Sequence, residues 1–256
     1  MYIGEKSNPI SMKRLAILCC IVLLSNTLKS QTQVYELRVY ELEFFKSGAI
    51  LHNYFEKALI PALNREGAEN IGVFEELGNS LPKKLYLLVP HKDIMSFLAS
   101  EEDLFEDAEY LKAADPYLKA DQASVPFIRI NSSLVQSTKE FPDLVVPENA
   151  GIYELRIYES PTEGALQNKL KMFEDEFDIF KDAGLQMVFF GKNISGDQLP
   201  CLTYMLASTD MEENKEGWSN FGNHPDWIKL RSMDEYKGNM SDITRVFLVP
   251  FAYSQF

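Results

Sequence analysis

Cysteine is the first scarcity: three occur in 256 residues, and two of them, Cys19 and Cys20, sit inside one apolar run near the start. Cys201 is then the sole thiol of the main body, so an internal disulfide is excluded and stability has to come from core burial, which a chain of this size can supply. Cys201 lies in the apolar stretch Pro200-Cys201-Leu202-Thr203-Tyr204-Met205-Leu206, the setting of a packed thiol and not of a nucleophile. Histidine is equally sparse. His52, His91 and His224 stand at no metal-site spacing, which argues against a histidine-built metal centre and leaves haem without an unambiguous axial ligand; each histidine taken singly reads as structural or solvated. No metal and no cofactor are expected. Basic residues are a minority, 25 against 38 acidic, and a surface of that sign suits neither nucleic acid nor anionic membrane. Long apolar runs are missing with one exception, residues 15–24. That run is shorter than the roughly 20 residues a membrane-spanning helix needs.

The exception has the layout of a secretory signal peptide, with Lys13-Arg14 ahead of Leu15–Leu24 and small and polar residues after it. Residues 1–30 are therefore read as a signal, with Met12 an alternative start and cleavage near Ser30. A periplasmic or secreted protein without stable membrane insertion follows. Removing Lys6, Lys13, Arg14, Lys29 and Glu5 leaves 21 basic and 37 acidic residues, a balance of −16.

What the chain does contain is a repeat. Tyr35-Glu36-Leu37-Arg38-Val39-Tyr40 returns as Tyr153-Glu154-Leu155-Arg156-Ile157-Tyr158, 118 residues later, a period too long for a solenoid unit of roughly 20–50 residues. Each copy alternates apolar and polar side chains, and a strand sends successive residues to opposite faces. Tyr35, Leu37 and Val39 share one face; Glu36, Arg38 and Tyr40 share the other.

After the first strand, residues 34–42, Ile50, Leu51, Tyr54, Phe55, Ala58, Leu59 and Leu63 follow a helical period that Gly67 ends, with a kink or break expected at Ile60 ahead of Pro61. Strands are expected over 71–77 and 85–89, broken helix over 93–100 and 103–117, and a strand over 125–130. Glu101, Glu102, Asp103, Glu106, Asp107 and Glu109 read as a solvated helix face, since the alternating oxygen ligands and Gly turn of a calcium loop are missing. In the second half Ser160-Pro161-Thr162-Glu163 is read as a capping box with Ser160 as N-cap. A helix on Leu166, Leu170, Phe173, Phe177 and Phe180 runs to Gly184, followed by strands over 186–191, 202–207 and 244–249. The order in each half is β-α-β-β-α-β, the ferredoxin-like split unit. The boundaries are 33–138 and 151–256 for the two repeats, with 139–150, which carries Pro142 and Pro147, as a packed linker.

The paired strand motifs, the stretch Trp218-x-x-Phe221-x-x-His224-Pro225-x-Trp227 and the ending Leu248-Val249-Pro250-Phe251-Ala252-Tyr253-Ser254 make the chain resemble the NIPSNAP family over about residues 33–256. The first half departs from the pattern: Phe97, Leu104, Phe105, Tyr110 and Tyr117 stand where the second half offers Trp218 and Trp227. The resemblance implies a dimeric α+β barrel, here an α+β pseudo-dimer of two tandem ferredoxin-like repeats in one chain. It also implies that Glu36, Arg38, Tyr40, Glu154, Arg156 and Tyr158 lie between the facing sheets, with His224 as a further pocket candidate.

The family fixes no reaction. Two functions are carried forward: a module that binds a small organic ligand or a protein partner, with self-association into a homodimer left open, and a cofactor-free or haem-dependent oxygenase- or isomerase-type enzyme using the space between the sheets. Arg38 and Arg156 would mark the functional face, because a buried guanidinium demands either its own glutamate or a bound anion.

Overall fold

A computed structural model describes residues 32–256; the expected signal, residues 1–30, lies outside the described residues. The chain is a mixed α+β fold around a closed eight-stranded barrel. Its strands are β1 (Val34–Leu42), β2 (Gly72–Glu76), β3 (Lys84–His91), β4 (Phe127–Ser137), β5 (Ile152–Glu159), β6 (Gln186–Ser195), β7 (Cys201–Ser208) and β8 (Asp242–Pro250). Around the barrel they run β1-β3-β2-β8-β5-β7-β6-β4. Each half thus contributes four consecutive strands in the same order, and two antiparallel seams join the halves, β2 with β8 and β4 with β6. At the second seam Gly191 lies so near the Gln136 carbonyl that an added Cβ would stand 2.3 Å from that oxygen, so glycine is what lets the strands meet there.

Helices cover the outside of the barrel. The first, α1, spans 49–65 in three joined pieces, Ala49–Tyr54, the wide π turn Phe55–Leu59 and Ile60–Arg65. Pro61, which cannot donate to the preceding turn, is absorbed by that wide turn, so the helix continues through Ile60, where a kink or a break was expected, with the irregularity one turn earlier. Helices α2 (Ile94–Glu106) and α3 (Ala108–Leu118) follow β3. Asp107 separates them, its carboxylate accepting from the amides of Glu109 and Tyr110 at 2.8 and 3.0 Å, so part of the acidic cluster is a helix cap. The second half has α4 (Glu163–Asp182), α5 (Met211–Asn223) and α6 (Pro225–Leu230). The cap of α4 is Thr162, accepting from the Ala165 amide at 3.1 Å, and not Ser160, whose hydroxyl is buried without a partner. Gly67 and Gly184 end α1 and α4 with φ of +96° and +82°, conformations glycine adopts freely.

Three apolar clusters divide the interior. One fills the barrel with Tyr35, Leu37, Phe74, Tyr86, Leu88, Val135, Tyr153, Leu155, Val188, Phe189, Met205, Ala207 and Leu248, drawn from both halves. The others lie between the sheet and the helices of each half, Tyr40 belonging to the first and Tyr158 to the second. The alternation therefore holds with the two sides exchanged: Tyr35 and Leu37 enter the barrel, while Glu36, Arg38 and Tyr40 face the helices, as do Glu154, Arg156 and Tyr158. Eight strands close on a space just wide enough for side chains to fill. Aromatic residues fill it, so the expected ligand space between the sheets is a packed core.

The linker packs as expected. The Leu144 amide donates to Gln33 Oε1 at 3.0 Å, the Val145 amide to the Val188 carbonyl at 2.8 Å, and Leu144 and Ala150 lie against the barrel cluster.

Candidate functional site

Residue for residue, the two halves can be compared at the junction of sheet and helix. Val34 pairs with His91 and Ile152 with Ser208, and two residues past each of these partners an aspartate caps the next helix, Asp93 before α2 and Asp210 before α5. Counting on from the caps aligns Phe97 with Asn214 and Glu101 with Trp218. On the strands, Leu87 opposite Arg38 aligns with Tyr204 opposite Arg156.

In the second half these residues form a network that satisfies Glu154 fully and leaves Arg156 Nε buried without a partner. Glu154 is 1% exposed. Its Oε2 accepts from Asn214 Nδ2 at 2.9 Å and from the Trp218 indole at 2.6 Å, and its Oε1 from Arg156 Nη1 at 3.1 Å. The Trp218 ring lies over the Arg156 guanidinium, 4.1 Å from its centre, a cation–π contact. Tyr204 donates to Tyr158 at 2.7 Å, and burial raises both phenols above their ordinary range. Beneath them Lys169 and Glu176 form a buried pair at 2.6 Å. The space under α5 is occupied by side chains.

The first half keeps Glu, Arg and Tyr on its first strand and changes the residues around them, with Leu87 for Tyr204 and His91 for Ser208 on the paired strand and Phe97 for Asn214 and Glu101 for Trp218 on the helix. Arg38 Nε donates to Glu36 Oε1 at 2.7 Å and Ser132 Oγ to the same oxygen at 2.9 Å. Burial opposes the Arg38 charge, and the bond and field of Glu36 outweigh it, so the guanidinium is held more firmly protonated than usual. With Phe97 and Glu101 replacing Asn and Trp, nothing donates to Glu36 Oε2, which is buried without a partner. His91 Nε2 stands 4.0 Å from it, likewise buried and unpartnered. Both residues are 5% exposed. Burial, with a smaller push from Arg38 and against the pull of Glu36, lowers the His91 pKa to about 4; the imidazole is neutral at physiological pH. Phe97 holds it edge to face, ring centres 5.4 Å apart.

Between these groups and α2 and α3 opens a pocket of about 430 Å³, whose lining includes Glu36, Arg38, Tyr40, Tyr54, His91, Phe97, Glu101, Leu104, Tyr110 and Ser132. Its volume falls within the range of small-molecule sites. Leu98, Phe105 and Ile130 line it too, 62, 55 and 41% exposed, and give the mouth an apolar rim.

Of the seven residues expected from the sequence, Glu36, Arg38 and Tyr40 meet in this pocket, while Glu154 and Arg156, with Tyr158 beside them, build the filled counterpart. The two sets do not face each other, because each lies under its own helices on the outer face of the barrel. His224 joins neither set. It caps α6, its Nδ1 accepting from the Asp226 amide at 3.3 Å, and borders a shallow acidic groove with Asp182 and Asp226. The sequence reading gave His91 a structural or solvated role, named Phe97 only as a departure of the first half, and passed over Ser132. The difference between the repeats at Phe97/Asn214 and Glu101/Trp218 is the signal that would have found the pocket.

A closed eight-stranded barrel of mixed α+β architecture defines the structural class. A protein of Fusobacterium nucleatum and one of Lactobacillus acidophilus, both provisionally named as monooxygenases, share it: they are 10% and 9% identical, cover 86% of this chain each and 92% and 94% of their own, with TM-scores of 0.57 and 0.55. At those identities the likeness shows the fold. The NIPSNAP family model matches residues 153–255, consistent with a NIPSNAP family member. An uncharacterized NIPSNAP-domain protein of Burkholderia xenovorans is 22% identical over 40% of this chain and 95% of its own, with a TM-score of 0.35. No curated protein matches the chain.

Proposed function

We propose that the chain is a small-molecule binding protein whose ligand sits under α2 and α3 of the first half, and that its barrel is a pair of tandem ferredoxin-like repeats, the one-chain counterpart of a dimeric α+β barrel. Export, with residues 1–30 as the signal, is part of the same proposal. One observation carries the binding reading: two polar atoms, Glu36 Oε2 and His91 Nε2, are buried without partners at the base of an open pocket, while the corresponding carboxylate of the second half is fully bonded. An unsatisfied buried polar group costs about 1–3 kcal/mol. A ligand that bonds both atoms recovers that cost, which favours the occupied state.

The test is to fill the pocket as the second half fills its own. Glu101 is exposed, and Glu101→Trp places a ring over Arg38 as Trp218 lies over Arg156. The wild-type protein should bind Nile red, a neutral apolar dye, saturably, and the variant should not, with its melting temperature little changed. Equal dye binding by the folded variant would refute the site.

A catalytic reading has one specific observation behind it. His91 is a neutral imidazole beside a carboxylate at the base of an apolar pocket, an arrangement that can accept a proton from a bound molecule. The names of the two barrel neighbours suit an oxygenase. Consumption of oxygen by protein with bound ligand would favour this reading over binding alone.

A further inference from the structure

The buried polar groups of the first-half pocket can be accounted for one by one, the Tyr40 hydroxyl being held by Arg38. The Tyr54 and Tyr110 hydroxyls bond each other at 2.9 Å. Ser100 Oγ donates to Glu66 at 2.8 Å, and Ser132 Oγ and Arg38 Nε both donate to Glu36 Oε1. At the base this leaves one carboxylate oxygen, Glu36 Oε2, and one imidazole nitrogen, His91 Nε2, 4.0 Å apart. A carboxylate oxygen only accepts, while a neutral imidazole nitrogen either donates or accepts, depending on tautomer. An atom at hydrogen-bonding distance, about 2.8 Å, from both fits between them.

Charge narrows the choice. Glu36 balances the Arg38 charge through Nε, and an anion placed between Glu36 Oε2 and His91 Nε2 would meet a carboxylate oxygen and a neutral imidazole. An anion is therefore disfavoured at these two atoms. An ammonium group finds the Glu36 charge already balanced and would bring a second cation beside Arg38. A hydroxyl carries no charge, donates to a carboxylate and accepts from an N–H in the same position. Apart from the exposed Glu101, the rest of the lining is aromatic and aliphatic, and the apolar rim of Leu98, Phe105 and Ile130 continues it outward. That surface suits an apolar ring system reaching from the base to the mouth.

We infer that the ligand class is the neutral hydroxylated apolar molecule, a phenol or fused-ring alcohol, whose O–H donates to Glu36 Oε2 while its oxygen accepts from His91 Nε2. The inference rests on the pocket being the binding site and adds the chemistry of what it takes.

The experiment is equilibrium binding of four probes of one shape, 2-naphthol, naphthalene, 2-naphthoate and 2-naphthylmethylammonium, at neutral pH. Wild-type protein should prefer 2-naphthol over each of the others by at least about tenfold, the discrimination expected of a hydrogen bond to a charged group. Glu36→Gln should erase that preference: Arg38 and Ser132 hold the amide oxygen, so the NH2 group faces the pocket. The same change should raise the relative affinity for 2-naphthoate. Another probe binding tightest, all four binding alike, or no binding of 2-naphthol would overturn the hydroxyl assignment. Glu101→Trp separates this from the site itself. If it abolishes binding of whichever probe is preferred, the pocket stands and only the ligand class fails; if it leaves binding unchanged, the pocket reading fails.

Discussion

Glu36 and Glu154 occupy the same place in the two repeats, yet replacing each with glutamine should have opposite consequences. In Glu154→Gln, Arg156, Asn214 and the Trp218 indole all still donate toward a side chain that now has one acceptor oxygen and an NH2 group. Two donors are set against a donor, and Arg156 loses its nearest carboxylate. Breaking a buried ion pair by removing one partner costs about 3–5 kcal/mol, which for a body of this size lowers the melting temperature by roughly 6–20 °C. In Glu36→Gln, the amide oxygen keeps the bonds from Arg38 and Ser132, and the NH2 group turns into open pocket where no donor opposes it. Arg38 is 23% exposed at its side chain, so water shares its charge, and the loss should be about 1–2 kcal/mol. Urea unfolding of the two variants, read by tryptophan fluorescence and by circular dichroism, measures the difference directly. Equal destabilisation within about 1 kcal/mol, or a larger loss for Glu36→Gln, would refute the contrast drawn between a closed and an open repeat.

Further outcomes follow from the same contacts. His91 binds its proton less readily folded than unfolded, its pKa lowered to about 4 from 6.5, so between those values the unfolded chain takes up more protons and stability falls as pH drops. The loss is about 3 kcal/mol from pH 6.5 down to 4, and His91→Gln should remove that share of the wild-type pH dependence; an unchanged pH profile would contradict the burial of a neutral imidazole. Cys201 is 1% exposed and its thiol is pushed up to about 12 by burial, with Glu159 adding to the effect, so a thiol reagent at pH 8 should label it only as fast as the protein opens, and immediate stoichiometric labelling would contradict its place in the core. Residues 33–138 and 151–256 expressed apart would each expose the two strand edges that form the seams and half of the barrel core, and should associate with each other when mixed; two stable monomers indifferent to each other would argue against a shared interior.

The strand residues made the barrel legible and hid the site. The alternation in Tyr35–Tyr40 and Tyr153–Tyr158 states which side chains share a face, and the structure keeps that partition. It does not state which face closes on itself. Tyr35 and Tyr153 read as mere members of an apolar side, but tyrosines of that size, with Phe74 and Phe189, are what eight strands need to fill their interior. Glu36 and Arg38 are consequently displaced to the helix side. The pocket was less legible still, because it is made by a difference. Trp218 drew notice within its motif and Asn214 not at all, while Phe97 read as a departure of the first half and Glu101 as part of a solvated helix face. Degeneration at those two positions is what opens the space and strips Glu36 Oε2 of its donors. His91 closes a strand as a single histidine with no partner in sequence, and its pairing with Glu36 comes from the strand register beside Val34. The missed Thr162 cap has a local cause: Pro161 precedes the helix instead of starting it, so the turn begins two residues after Ser160.

The central claim is that ligand enters the first repeat and leaves the second undisturbed. Side-chain nitrogen–proton NMR resolves it, because Arg38 Nε and His91 report on one site and Arg156 Nε and the Trp218 indole on the other. Titration with 2-naphthol should move the Arg38 and His91 signals along a saturating curve while those of Arg156 and Trp218 stay in place; shifts centred on Arg156 and Trp218, with Arg38 and His91 still, would contradict it.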